Sequence, residues 1–225
     1  RIMCGIVGYV GKQPACEVIL SGLRRLEYRG YDSAGLAILN GGPLHIQRTV
    51  GRVKALAETV SSAGLEGHVG IGHTRWATHG RPSETNAHPH CAKSQRIALV
   101  HNGIIENHAT IRTFLEQQGV AFQSETDTEA LVQLIGFFYE QTGDFLQSVR
   151  SALREVVGTF GIAVICEDHP GTLVAARRGS PLLVGIGRDE YIVASDASAI
   201  VAHTQQVTYL DDDEIVYLGP HGLTA

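Results

Sequence analysis

The chain has 225 residues and a net charge of −5, and it is 44% hydrophobic and 18% charged. This length suits one large domain and the apolar runs are too short for a membrane span, so we expect a single domain over residues 1–225 and no membrane partner. The negative charge without a basic cluster argues against a nucleic-acid partner, and the lack of a signal-peptide pattern favours a cytoplasmic protein that acts on a small molecule.

Strands and helices alternate in the N-terminal part of the chain. Residues 4–10 and 34–39 are rich in Val, Ile and Leu and are bounded by glycines, which predicts two buried strands. Between them, Pro14 can begin a helix that stops at Gly30. The same patterns predict a helix at 52–63 and strands at 69–73 and 97–101.

Three helices are predicted in the middle of the chain. Asn107 can cap the first of them, and Gly119 closes it. Thr126 and Glu129 form a capping-box pattern that begins the second helix. Apolar residues at helical spacing predict the third helix over 145–156.

Short apolar segments separated by tight-turn residues fill the chain after Thr159, which is typical of antiparallel strands. Strands at both ends around a helical middle indicate an α+β domain whose sheets pack on each other with helices outside. The predicted C-terminal strands are 160–168, 172–177, 182–187, 191–195, 206–210 and 214–218.

The segment 73–108 is rich in histidine, and the His-x-His-Cys run at 88–91 has the donor types that zinc prefers. On a strand, however, Cys91 would point away from His88 and His90, and no second pair stands at ligand spacing. The simpler interpretation is that these histidines are loop residues that cap backbone groups. We therefore predict no metal and no other cofactor.

Cys4 follows a possible start methionine, Met3. A cysteine in an apolar strand is usually an inert core residue. At a free N-terminus, however, its own α-amine has a pKa near 8 and could act as the base for the thiol. Because Arg1 and Ile2 precede Met3, Cys4 gains that amine only after residues 1–3 are removed.

Several motifs together resemble the glutaminase domain of class II glutamine amidotransferases, most closely the branch that transfers nitrogen to fructose 6-phosphate. The combination of motifs is specific, whereas CGI near an N-terminus alone is weak evidence. In chain order they are CGIVGYVG at 4–11, LRRLEYRGYDSAGLA at 23–37, GHTRWATHGRPSETNAHPH at 72–90, VHNGIIENH at 100–108, SETDTE at 124–129 and ARRGSPLLVGIG at 176–187.

This resemblance implies a four-layer αββα sandwich of the N-terminal-nucleophile hydrolase type, with two mainly antiparallel sheets between helices. It also implies L-glutamine as the substrate and no cofactor. In the family, the domain continues into C-terminal sugar-isomerase domains that this chain lacks, and the full-length enzyme is a homo-oligomer. The chain alone would convert glutamine and water into glutamate and ammonia.

By the same resemblance, Cys4 is the nucleophile, and Asn102 with the backbone of Gly103 forms the oxyanion hole. An amide side chain can donate to an oxyanion, and glycine lets the backbone approach closely. A hairpin turn is the alternative interpretation of the Asn-Gly pair.

The resemblance assigns the remaining site residues to glutamine binding. Arg75 would bind the α-carboxylate and Asp127 the α-ammonium, although an acidic residue in a first helical turn is also favoured by the helix dipole. Thr78 and His79 match the family's glutamine loop, which closes over the substrate. Trp76 matches its gate to the ammonia tunnel, with a purely structural tryptophan as the alternative.

Two other classes of protein stay open on the residues alone. One is a catalytically silent glutamine-binding module, which would fit a Cys4 that is not N-terminal. The other is a zinc hydrolase that uses the histidines.

Overall fold

The computed structural model describes residues 3–77 and 80–225. No helix among these residues is both long and apolar enough to cross a membrane. The helices are α1 (Ala15–Leu26), α2 (Val53–Ala63), α3 (His108–Gln117), α4 (Asp127–Thr142) and α5 (Phe145–Glu155), with short 3₁₀ turns at Glu27–Arg29 and Ala197–Ala199. The strands are β1 (Gly5–Val10), β2 (Ser33–Leu39), β3 (His45–Val50), β4 (Val69–Arg75), β5 (His90–Cys91), β6 (Ile97–Asn102), β7 (Phe160–Cys166), β8 (Leu173–Arg178), β9 (Leu183–Gly187), β10 (Glu190–Ala194), β11 (Val207–Tyr209), β12 (Glu214–Gly219) and β13 (Gly222–Thr224).

These strands form two sheets. The first sheet has the order β11-β9-β10-β1-β4-β2-β3, and the second has the order β13-β12-β8-β7-β6-β5. Neighbouring strands pair antiparallel in both sheets, as the turn-rich sequence predicts.

Successive side chains of a strand point to opposite faces of the sheet, so they pack in different layers of the sandwich. On β1, Ile6 and Val10 belong to the core between the two sheets, whereas Val7 and Tyr9 pack with α1 and α2 on the outer face. Helices α3, α4 and α5 cover the outer face of the second sheet, where Leu99 of β6 joins their apolar residues. The predicted α+β, four-layer αββα sandwich is confirmed.

Most elements lie where the sequence predicts them, but three strands were not predicted. These are β3, β5 and β13, and each lies at an edge of its sheet. Strand β3 has the mixed sequence HIQRTV, and the other two have only two and three residues. Edge strands are often short or polar, so they carry little of the apolar signal that reveals a central strand.

The helix caps are partly as predicted. Thr126 accepts a hydrogen bond from the N–H of Glu129, as the capping-box pattern predicts. The side chain of Glu129, however, accepts from the N–H groups of Gln123 and Ser124 rather than from Thr126.

The prediction that Asn107 caps α3 through its side chain is wrong. Its amide instead donates to Glu155 O at 2.7 Å and accepts from Val157 N at 2.9 Å. It therefore ties the start of α3 to the segment after α5. Gly119 does follow the helix, with a positive φ of 83°.

Candidate active site

The predicted site residues converge at one end of the sandwich, on elements from both sheets. Cys4 directly precedes β1, and Arg75 ends β4, the neighbouring strand in the first sheet, where Gly5 pairs with Thr74. Asn102 ends β6 in the second sheet, and Asp127 is the first residue of α4. The sheet register thus brings together groups that lie far apart in the sequence.

These residues enclose a cavity of about 260 Å³. The predicted site residues on its wall are Cys4, Arg75, Trp76, Asn102, Gly103 and Asp127. The other two, Thr78 and His79, lie outside the described residues. A larger cavity of about 790 Å³ lies near Val10 at the opposite end of β1, and none of the six site residues that the structure describes lines it.

The Cys4 thiol is half-buried and contacts the backbone of Trp76, the first residue after β4. The N–H of Trp76 donates to the Cys4 sulfur at 3.1 Å, and the thiol lies 3.5 Å from Trp76 O. Burial raises the pKa of the Cys4 thiol, although the Trp76 N–H and the charge of Arg75 act in the opposite direction. The thiol is therefore protonated at neutral pH and needs a base before it can attack a carbonyl.

The residue before Cys4 also borders the cavity. Met3 lines it, and the N–H of Met3 donates to Arg29 O at 3.1 Å. A peptide nitrogen such as that of Cys4 behind Met3 has no lone pair available as a base. The amine base would exist only on a chain that begins at Cys4.

Asn102 and Gly103 line the cavity next to Cys4. The Asn102 amide donates to the carbonyl oxygen of Cys4 at 3.0 Å. Gly103 has φ of 122°, and a Cβ there would lie 2.4 Å from Thr159 O, so only glycine fits. The chain continues from this pair toward α3, so the hairpin-turn interpretation is wrong.

Two buried groups of opposite charge also face the cavity. Arg75 is 4% exposed and donates to Gly80 O at 3.1 Å. Asp127 is 5% exposed and accepts from the N–H of Ile105 at 2.8 Å. Because Asp127 begins α4, the helix dipole also favours its negative charge, so the two interpretations of this residue are compatible.

Trp76 is the exposed member of the set. Its side chain lines the cavity and is 41% exposed. At this exposure Trp76 is not part of the buried core.

Sequence reasoning missed Asp32. Its carboxylate accepts hydrogen bonds from the N–H of Ala77 and from the hydroxyl of Ser33, and its own N–H donates to Arg75 O at 2.7 Å. It thus anchors the chain that leaves β4 beside the thiol. The signal was present, since Asp32 stands inside the quoted motif at 23–37, but its contact with Ala77 depends on strand register.

The interpretation of the histidines as loop residues is wrong for His73, His90 and His101, which lie in β4, β5 and β6. For His73 and His101 the strands predicted at 69–73 and 97–101 are confirmed instead. All three are buried, and burial lowers the pKa of His73 and of His90 to about 3. Within residues 3–77 and 80–225, no three His, Cys, Asp or Glu side chains are grouped closely enough to hold a metal ion.

None of the described histidines hydrogen-bonds to the Cys4 sulfur, whose partners among the described residues are the backbone atoms of Trp76. The His101 ring bonds instead to Thr128 Oγ1 and Thr159 O, at 2.9 and 3.2 Å. A cysteine–histidine pair is therefore not formed here.

Comparison with known proteins identifies the family. A family model described as a glutamine amidotransferase domain matches residues 60–220. The chain belongs to this glutamine amidotransferase family.

Curated relatives of this amidotransferase domain include the glutamine–fructose-6-phosphate aminotransferases (isomerizing) of Caldanaerobacter subterraneus and Bacteroides thetaiotaomicron. Both are 50% identical over 96% of the chain, which covers 35% and 36% of their own length. The chain thus spans about a third of the curated relatives it matches.

Solved structures extend the likeness to the three-dimensional fold. The glutamine phosphoribosylpyrophosphate amidotransferase from B. subtilis, solved with ADP and GMP, matches with a TM-score of 0.85 and 26% identity. The match covers 98% of this amidotransferase chain and 48% of that chain.

Proposed function

We propose that this chain is the glutamine-hydrolysing domain of a larger glutamine–fructose-6-phosphate aminotransferase. The observation that carries the proposal is the cavity in which the Cys4 thiol, the Asn102 amide, Arg75 and Asp127 meet. At about 260 Å³ it is slightly smaller than sites for drug-sized ligands, which suits an amino acid.

The charged walls would hold glutamine in one orientation. The Arg75 guanidinium would bind the α-carboxylate, and the Asp127 carboxylate would bind the α-ammonium. The side-chain amide then points to Cys4, between the two sheets. Trp76 stands at the rim of the same cavity, where it could close the site toward solvent.

The reaction begins with proton transfer from the Cys4 thiol to the α-amine of Cys4 itself. The sulfur attacks the carboxamide carbon, and the carbonyl electrons move onto oxygen, where Asn102 Nδ2 and the N–H of Gly103 would stabilise the negative charge. The C–N bond breaks, and ammonia leaves with the proton returned by the ammonium. Water then attacks the thioester and gives a proton to the amine, the C–S bond breaks to release glutamate, and the ammonium returns that proton to the sulfur.

Other parts of the proposal concern the domain organisation and the protein beyond this chain. We propose that the 225 residues form one domain and that sugar-isomerase domains use the ammonia to aminate fructose 6-phosphate. The greater length of the aminotransferase relatives supports this arrangement. A homo-oligomeric full-length enzyme and a cytoplasmic location stay predictions, as do the loop roles of Thr78 and His79.

The test is glutamate release from L-glutamine by protein whose first residue is shown by intact mass to be Cys4, beside the chain that begins at Arg1. We expect turnover only from the trimmed form and none from its Cys4→Ala variant. Activity in the Cys4→Ala variant would contradict the mechanism. If neither form turns over but calorimetry detects glutamine binding, the domain is a silent glutamine-binding module.

A further inference from the structure

Both polar ends of the Asn102 side chain are held in the structure. Asn102 Nδ2 lies 3.0 Å from the carbonyl oxygen of Cys4, and Asn102 Oδ1 lies 2.9 Å from Nε2 of His73. A carbonyl oxygen only accepts hydrogen bonds, so the amide nitrogen of Asn102 must face Cys4. Its amide oxygen then faces His73 and also only accepts, so Nε2 of His73 carries the hydrogen and donates it.

The surroundings of His73 hold its ring in this one position. The ring is fully buried in β4 and stacks on the ring of His88, with 4.0 Å between centroids and 10° between planes. Nδ1 of His73 is buried and has no hydrogen-bond partner among the described residues. Burial lowers the pKa of the His73 ring to about 3, so the ring is neutral at neutral pH, and its single hydrogen is the one on Nε2 that faces Asn102.

The rings behind His73 are fixed by the same logic. The N–H of His101 points to Nδ1 of His88 at 3.3 Å, so the hydrogen of His88 is on Nε2, which faces Thr128 Oγ1 at 3.4 Å. The Thr128 hydroxyl can then donate to Nδ1 of His101 at 2.9 Å, and Nε2 of His101 donates to Thr159 O. His88 therefore offers His73 a rigid, neutral surface.

We propose that His73 is a positioning residue for the hydrolysis of glutamine, an inference that rests on the proposed function. Its Nε2–H holds Oδ1 of Asn102 and so keeps Nδ2 directed at the place where the oxyanion forms beside Cys4. Without this donor, the side-chain amide of Asn102 can flip, which would place its oxygen instead of its nitrogen next to the oxyanion. A repulsive contact would then replace a stabilising one.

The test compares two variants in protein that begins at Cys4. His73→Leu removes the donor, whereas His73→Gln can place an amide N–H near the position of Nε2. For His73→Leu we expect a loss in kcat of roughly 10- to 100-fold, which is less than the about 100- to 1,000-fold cost of removing an oxyanion donor. The KM for glutamine should change less than about twofold, and His73→Gln should retain most of kcat, since neither variant alters Arg75 or Asp127.

A double-mutant cycle separates this role from a general effect on folding. In an Asn102→Ala background, His73→Leu should cause no further loss of kcat, because its effect passes through the Asn102 amide. A further loss of the same size in that background, or an unchanged kcat in His73→Leu alone, would overturn the proposal.

A measurement without turnover keeps the inference separate from the proposed function. Long-range ¹H–¹⁵N spectra report which ring nitrogen of His73 is protonated, and we expect Nε2. Protonation at Nδ1 would overturn the inference even in an active enzyme. A trimmed protein without glutaminase activity would contradict the proposed function, and the spectrum would still decide whether His73 donates to Asn102.

Discussion

At the scale of single residues, neutral buried histidines make the stability of the fold depend on pH. Burial lowers the pKa of His73 and of His90 to about 3, whereas an unfolded histidine has a pKa of about 6.5. Because the folded pKa is the lower one, the unfolded chain binds more protons between these values. The stabilisation is complete above about pH 6.5 and is lost as the pH falls toward 3.

We therefore expect the free energy of unfolding to fall by about 1.4 kcal/mol per pH unit for each such histidine below about pH 6. Urea unfolding at pH 7.5, 6.0 and 5.0 measures this slope. His90→Gln keeps a possible donor to Thr126 Oγ1 but removes one titrating ring, so its slope should be smaller by about 1.4 kcal/mol per pH unit. Equal slopes in the two proteins would show that His90 is not buried as a neutral ring.

Arg75 gives a second prediction at this scale. Arg75→Lys keeps the positive charge but loses the planar pair of donors that fits a carboxylate. We expect the KM for glutamine to rise roughly 10- to 100-fold, with a smaller change in kcat, because a charge-assisted hydrogen bond contributes about 1.5–3 kcal/mol. Steady-state glutamate release measures both constants.

The matched control is Arg81→Lys, since Arg81 is exposed, follows closely in the sequence and does not line the cavity. Its KM should stay within about twofold of the parent value. If Arg75→Lys instead lowers kcat and leaves KM unchanged, Arg75 does not bind the ground-state substrate.

At the scale of elements, the start of α4 is held by a carboxylate. Glu129 is 3% exposed and accepts from Ser124 N at 2.6 Å and from Gln123 N at 3.1 Å. The segment that it holds leads directly into Asp127, the first residue of the helix. The position of Asp127 in the cavity therefore depends on the hydrogen bonds that Glu129, a residue of the same helix, accepts.

Glu129→Gln places an amide NH₂ where one of these N–H groups needs an acceptor. We expect the free energy of unfolding to fall by about 1–3 kcal/mol and the KM for glutamine to rise, because Asp127 is less well held. Glu140→Gln, on the exposed end of the same helix, should change stability by no more than about 0.5 kcal/mol. Equal effects of the two substitutions in urea unfolding would show that the hydrogen bonds of Glu129 do not stabilise the start of α4.

Elements whose signals are local could be predicted from the sequence, and the others could not. The Thr126 cap and the apolar helices depend on patterns among residues that are close together in the sequence, and the structure confirms them. The role of Asn107 depends on Glu155 and Val157, which lie far along the chain, so its local cap pattern predicted the wrong partner. Edge strand β5 has only two residues and no periodicity to detect.

The same difference between local and long-range signals applies to the candidate site. The resemblance supplied Cys4, Arg75, Asn102 and Asp127, and the structure places all four at one cavity. The contact of His73 with Asn102 joins β4 of one sheet to β6 of the other. No pattern within either strand contains that information, because it depends on how two sheets are stacked.

At the scale of the whole molecule, the site exists only where the two sheets meet. Cys4 and Arg75 are positioned by the first sheet and Asn102 by the second, and the inter-sheet core fixes the distance between them. We propose that the chain unfolds as a single cooperative domain, since this core links both sheets. Activity and global structure should then be lost together.

Ile165 tests this coupling because it is fully buried between the sheets and lies far from the site. It pairs with Ala98, whereas Asn102 pairs with Gly161 at the other end of β7, about 13 Å away at the rise of a strand. Ile165→Ala should cost about 2–5 kcal/mol, and Ile165→Val about 0.5–1.5 kcal/mol, through lost burial and the cavity left behind. For a domain of this size, the alanine variant should melt roughly 5–15 °C lower.

In one cooperative domain, the temperature at which glutaminase activity disappears should fall in step with the midpoint seen by circular dichroism. Activity measured well below the transition should stay close to that of the parent, since Ile165 does not line the site cavity. The exposed Val201→Ala is the matched control and should leave both temperatures unchanged. If activity disappears well below the circular-dichroism midpoint, the two sheets separate before they unfold, and the single-domain proposal is wrong.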